Sequence, residues 1–97
     1  MTDQELRNKV IDKLLRKRAI GGHKKQKDTV VNWFASSDQG KVKELIDEMA
    51  TDPTVPLEMY GGGQRENVRL SDVGEAVRYL DANGGDIPFG MEKHLDE

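Results

Sequence analysis

Leu6, Val10, Ile11, Leu14 and Leu15 recur three and four residues apart, which predicts a helix with one broad apolar face. Thr2-Asp3-Gln4-Glu5 has capping-box spacing and places its start. Lys9, Lys13 and Arg16 fall on the opposite face, with Glu5 four residues before Lys9 and Asp12 four before Arg16, the favourable orientation for helical ion pairs. Lys17 and Arg18 then sit in the last turn, where cations complement the helix dipole, and Gly21-Gly22 is the predicted stop. Ala19-Ile20 is long enough for only a very short strand. Val30, Val31 and Phe34, with part of Trp33, predict a second helix from about Lys24 to Ala35. Ser36-Ser37-Asp38 breaks that pattern and offers an N-cap. Val42, Leu45, Ile46 and Met49 then mark a third helix, over Asp38–Thr51, that Pro53 brings to an end.

Beyond Pro53 the period drops to two. Val55, Leu57 and Met59 alternate with Pro56, Glu58 and Tyr60, and after Gly61-Gly62-Gly63 the residues Val68 and Leu70 alternate with Asn67 and Arg69. This predicts a β-hairpin over Val55–Leu70 with a glycine-rich tip, its first strand limited in pairing by Pro56. Ser71 or Asp72 caps a fourth helix with the stripe Val73, Ala76, Val77 and Leu80, and Asn83-Gly84-Gly85 stops it. Residues 86–97 show no period. Ile87 and Phe89 are expected to dock on the body and the last six residues to fray. The expected organisation is one domain over residues 1–85 and a C-terminal tail over 86–97, without internal repeats.

Charge changes this picture more than composition does. Across 97 residues the net charge is −3, yet residues 1–27 carry nine Lys/Arg against three acids, and residues 28–97 carry six against fifteen. The stretch Lys13–Lys27 holds seven of those cations and no acid. A positive end on an acidic body points to a polyanion or an acidic surface as partner. Lys24, Lys25 and Lys27 would crowd the first turns of the second helix, where the dipole disfavours cations and favours a bound phosphate. Without cysteine there is neither a disulfide framework nor a thiolate site. No apolar run reaches the length of a bilayer span, so the chain reads as a cytoplasmic domain with no membrane partner.

Helix, short strand, helix, turn, helix, two-stranded hairpin and helix is an order of elements that resembles the winged helix-turn-helix family over residues 2–83. The resemblance implies an α+β fold: a three-helix core, a β-hairpin wing and a C-terminal helix. Lys24–Ala35 and Asp38–Thr51 would form the helix-turn-helix pair and Val55–Leu70 the wing. Most members bind DNA, which implies a small, transcription-regulator-like DNA-binding protein. On that docking pattern Lys24, Lys25 and Lys27 meet phosphates, Gln39, Lys41 and Lys43 open the recognition helix, and Arg65 sits on the wing tip. Gln39 has the chemistry to read adenine, and Lys41 guanine.

One feature pulls the other way. With its apolar stripe turned inward, the third helix points Gly40, Glu44, Asp47 and Thr51 outward, and two carboxylates on a groove-facing surface repel phosphates. The alternative is a protein-interaction or homodimerisation module, with Trp33, Tyr60, Tyr79 and Phe89 as aromatic anchors. An enzyme is not expected. His23 and His94 stand far apart, and no nucleophile–base pair, metal-ligand spacing, phosphate loop or cofactor motif appears.

Overall fold

The computed structural model describes residues 1–61 and 66–96. It is an α+β fold built from α1 (Asp3–Arg16), β1 (Lys25–Gln26), α2 (Lys27–Asn32), α3 (Ser36–Thr51), β2 (Leu57–Tyr60), β3 (Asn67–Leu70) and α4 (Val73–Ala82). A 3-10 helix, Glu92–Asp96, follows. The strands form one antiparallel sheet in the order β1-β3-β2. Among the described residues no helix is long and apolar enough to cross a membrane.

The capping box at the start of α1 is complete. The Thr2 hydroxyl accepts from the Glu5 N–H at 3.1 Å, and the Glu5 carboxylate accepts from the Thr2 N–H at 3.1 Å. The far end of α1 differs from expectation. The helix stops at Lys17, four residues before the Gly21-Gly22 stop, because Arg18 takes a left-handed conformation with φ 54°. The Arg18 N–H then reaches the Leu15 carbonyl at 3.0 Å and the Ala19 N–H reaches that of Leu14 at 2.9 Å. These are the two bonds of a Schellman ending, made here with arginine where glycine is usual.

That early stop sets up the sheet. The Ala19 carbonyl accepts from the Leu70 N–H at 2.7 Å, and Ile20 makes a single bridge to Leu70, so the short strand expected there is one bridge long. The sheet strand lies further on, in residues expected to be helical: Lys25 pairs with Val68 and Gln26 with Asn67. The second helix therefore starts at Lys27, not Lys24, and ends at Asn32. A strand removes Lys24 and Lys25 from the positive end of a helix dipole and satisfies the β1 backbone on β3. α3 begins two residues early, at Ser36, with Ala35 as a cap that has no side-chain hydrogen bond.

The hairpin is shorter than the alternation suggested. Its register runs Leu57–Leu70, Glu58–Arg69, Met59–Val68 and Tyr60–Asn67. Val55 and Pro56 precede it, and the Gly62, Gly63, Gln64 and Arg65 part of the expected tip lies outside the described residues. Asp72 caps α4, its carboxylate accepting from the Glu75 N–H at 2.9 Å. The stop at Asn83-Gly84-Gly85 falls as expected, with the Gly85 N–H on the Leu80 carbonyl at 2.8 Å.

α1 runs through the middle of the interior, touching α3, α4 and β3. Its Val10, Ile11, Leu14 and Leu15 are fully buried with Leu45 and Ile46 of α3, Val68 and Leu70 of β3, and Val77 and Leu80 of α4. Each such side chain contributes about 1.5–3 kcal/mol. One polar residue joins them. Asn8, 8% exposed, donates to the Asn83 carbonyl at 3.0 Å and accepts from Gln4 at 3.0 Å, and Gln4 also donates to the Tyr79 hydroxyl at 3.2 Å.

The segment after Gly85 is ordered by a turn. Pro88 is buried, and its carbonyl accepts from the Met91 N–H at 3.0 Å; Gly90, third in that turn, has φ 88°. Positive φ at the third position with a negative φ before it is the type II turn. Ile87, Met91 and Leu95 rest against the core, but Phe89, expected to dock, is 99% exposed. The turn conformation places Phe89 at its outer corner, away from the surface that Pro88 and Met91 cover.

Candidate nucleic-acid interface

The six described residues among those expected to meet nucleic acid do not form one surface. Lys27 is only 14% exposed, and its ammonium is bound by the Asp47 carboxylate of α3 with the Glu66 carboxylate 3.9 Å away. Its backbone N–H is also committed, to the Glu66 carbonyl at 2.9 Å. Lys27 thus fastens α2 to α3 and to the approach of β3. Lys41 stands between Asp3 at 3.9 Å and Glu44 at 3.7 Å. Gln39 donates to the Phe34 carbonyl at 3.1 Å and so serves the α2–α3 turn. Lys43 is exposed and has no ion pair among the described residues, and Arg65 lies outside them.

The outward side of α3 carries exposed Gly40, Glu44, Asp47 and Thr51, as the apolar stripe implied. Glu48 beside them faces Arg7 at 3.5 Å. Between Ser36 and Thr51 there are four acids and two lysines, so this helix presents negative charge to solvent.

Lys24 belongs to a different surface, while Lys25, in register with Val68, lies on the inner side of the sheet. Strand alternation turns Leu57, Met59, Val68 and Leu70 to the interior and Glu58, Tyr60, Asn67 and Arg69 to the outer face of the sheet. There the Lys24 ammonium lies 5.6 Å from the centre of the Tyr60 ring, and the Arg69 guanidinium 4.9 Å from it. Arg69 is held on two further sides, by Glu58 at 2.9 Å and by the Gly21 carbonyl at 3.1 Å. That last bond pins the α1–β1 segment across the sheet.

The same segment connects to a second pair of cation–ring contacts. Lys17 stands 5.7 Å from the Trp33 ring centre and Lys13 5.4 Å from that of Phe34. Both rings leave the end of α2, where Phe34 is buried and Trp33 half-buried. Lys13, Lys17, Arg18, Lys24 and Lys25 have no carboxylate partner among the described residues, whereas Arg16 between them is paired with Asp12 at 2.9 Å. Lys13 and Lys17 read in sequence as helix-face and dipole charges; only the fold sets them over rings. Arg69 and Tyr60 were legible as outward-facing strand residues, but their neighbours follow from the register of three strands.

Two carboxyls are held below their ordinary range, and both lie away from this arc. The Thr2 backbone N–H and hydroxyl lower that of Glu5, and the Thr54 hydroxyl and N–H lower that of Asp52. Asp52 borders an open, polar groove between α1, α3 and α4 that also exposes Arg7, Glu48, Arg78 and Tyr79. Among the described residues no cluster of His, Asp and Glu is arranged to hold a metal ion. No family model, curated protein or solved structure matches the chain.

Proposed function

We propose that the chain is a winged helix-turn-helix domain that binds nucleic acid, in the manner of a small transcription regulator. The order of elements supports the fold, as does a first strand that joins the hairpin on the β3 side to give β1-β3-β2. One observation carries the function. Five cations from Lys13 to Lys25 line a connected stretch of chain without a carboxylate partner among the described residues, while the cations of α3 and Lys27 mostly face the protein's own acids. Unneutralised Lys and Arg are the groups that displace counterions from a phosphate backbone.

Fluorescence anisotropy with a mixed-sequence duplex over a salt series tests this. Five phosphate contacts predict an affinity loss of about 500-fold between about 50 and 200 mM salt. A flat titration at low salt with both this duplex and its separated single strand contradicts the reading.

A second reading, a protein-interaction or dimerisation module, is favoured by Phe89. Leaving a phenylalanine in water forgoes about 1.5–3 kcal/mol, and the Pro88–Met91 turn holds it there, braced by the Glu92 carboxylate on the Gly90 N–H at 3.0 Å. Sedimentation velocity over a concentration series, on the wild type and Phe89→Ser, tests self-association through this corner. Association lost in the variant supports it, and a monomer throughout counts against it.

A further inference from the structure

Within the nucleic-acid reading, on which this inference rests, the structure points to where the polymer lies and in what form. We propose that the outer face of the sheet, centred on Tyr60, binds single-stranded nucleic acid, with bases stacked at the Tyr60 ring and phosphates on Lys24 and Arg69.

Three observations converge on this. First, the surface that would enter a duplex groove is electrostatically unfavourable to phosphate, since α3 carries four acids against two lysines and Lys41 is held between acids. Second, Lys24, which has no carboxylate partner among the described residues, stands on the outer sheet face beside Arg69, whose bond to the Gly21 carbonyl ties the α1–β1 segment to the sheet. Third, that side carries a half-buried aromatic ring on an open sheet face, with two cations already within stacking and cation–π range of it.

A duplex offers phosphates to such a surface but keeps its base faces to itself. A single strand offers both. A positive track with aromatic platforms is the combination that holds unpaired bases, because every base has a π-face whatever its sequence. Exposed Gln26 pairs in register with Asn67, which in turn faces Tyr60, so the Gln26 amide lies on the same face as the ring. Glu58 limits the positive potential by holding Arg69. A strand that binds here competes for that guanidinium.

The test compares a labelled oligothymidine of about 12 nucleotides with a mixed-sequence duplex of equal length, by anisotropy at low salt. The single strand is expected to bind more tightly. Tyr60→Ala should weaken it about tenfold or more, Tyr60→Phe should retain it, and Glu58→Gln should strengthen it several-fold by releasing Arg69. The Tyr60 ring resonances of the wild type should move upfield on addition of oligothymidine, a readout independent of how any variant folds. Duplex binding with unmoved Tyr60 resonances overturns the sheet-face proposal and leaves the nucleic-acid reading standing. Absence of binding to either polymer overturns both.

Discussion

The Lys27 ammonium and the Asp47 carboxylate close an ion pair between α2 and α3, with Glu66 as a more distant third member. The pair joins residues twenty apart and turns a lysine expected to meet phosphate into a structural tie. Lys27→Glu should therefore lower stability by more than the ~0.2–1 kcal/mol of an exposed pair, since it sets three carboxylates together. Urea denaturation measures this. Lys27→Met should cost less and leave nucleic-acid affinity within about twofold, because the lost charge was neutralised at home.

Arg18 occupies a backbone conformation that disfavours side chains by about 1–2 kcal/mol, relieved by glycine. Arg18→Gly should raise stability by about 0.5–1 kcal/mol in urea denaturation, the remainder being offset by a freer unfolded chain. The same change removes an unpartnered cation from the arc, so affinity for nucleic acid should fall as stability rises. A variant that is both less stable and equally tight contradicts both roles.

Asn8 is the polar residue in an otherwise apolar helix face, and its amide joins α1 to the Asn83 carbonyl at the end of α4. Asn8→Ala leaves that carbonyl without its donor and the Gln4 amide with only the Tyr79 hydroxyl. The expected loss is about 1–3 kcal/mol, with little change in nucleic-acid affinity. Hydrogen exchange should show the last turn of α4 opening first.

Acidification should destabilise the start of α1. The Glu5 carboxyl is held below its ordinary value of 4.5 by the Thr2 backbone N–H and then the Thr2 hydroxyl. A carboxyl with a folded-state value below its unfolded one stabilises the fold above the unfolded value, and loses that contribution as pH falls through the folded one. Stability measured by urea denaturation should decline below about pH 4.5. Glu5→Gln should flatten part of that decline, and an unchanged pH profile in the variant contradicts the capping role.

Local chemistry was legible in the sequence wherever it was sufficient by itself. The Thr2–Glu5 box, the α3 stripe, the Asp72 cap and the Asn83-Gly84-Gly85 stop each depend on residues within one or two turns. Lys25 and Gln26 form a strand only because β3 arrives beside them, some forty residues later, and nothing in their own neighbourhood competes with a helix. Arginine at the end of α1 hid a helix stop that glycine would have announced. The surface proposed to bind nucleic acid was half legible for the same reason. Charge asymmetry located its residues along the chain, but removing Lys27 and adding Tyr60 and Arg69 required the register and the crossing of α2 on α3. Phe89 was misplaced because an apolar residue was assigned to the core without the turn that carries it outward.

The central claim is that the cations of the α1–β1 segment, not those of α3, meet the polyanion. Two double variants decide it in one anisotropy titration at low salt: Lys24→Glu with Lys25→Glu, against Lys41→Glu with Lys43→Glu. The account predicts that the first loses binding by tenfold or more while the second stays within about threefold of wild type. Equal losses, or a greater loss in the α3 pair, would contradict it.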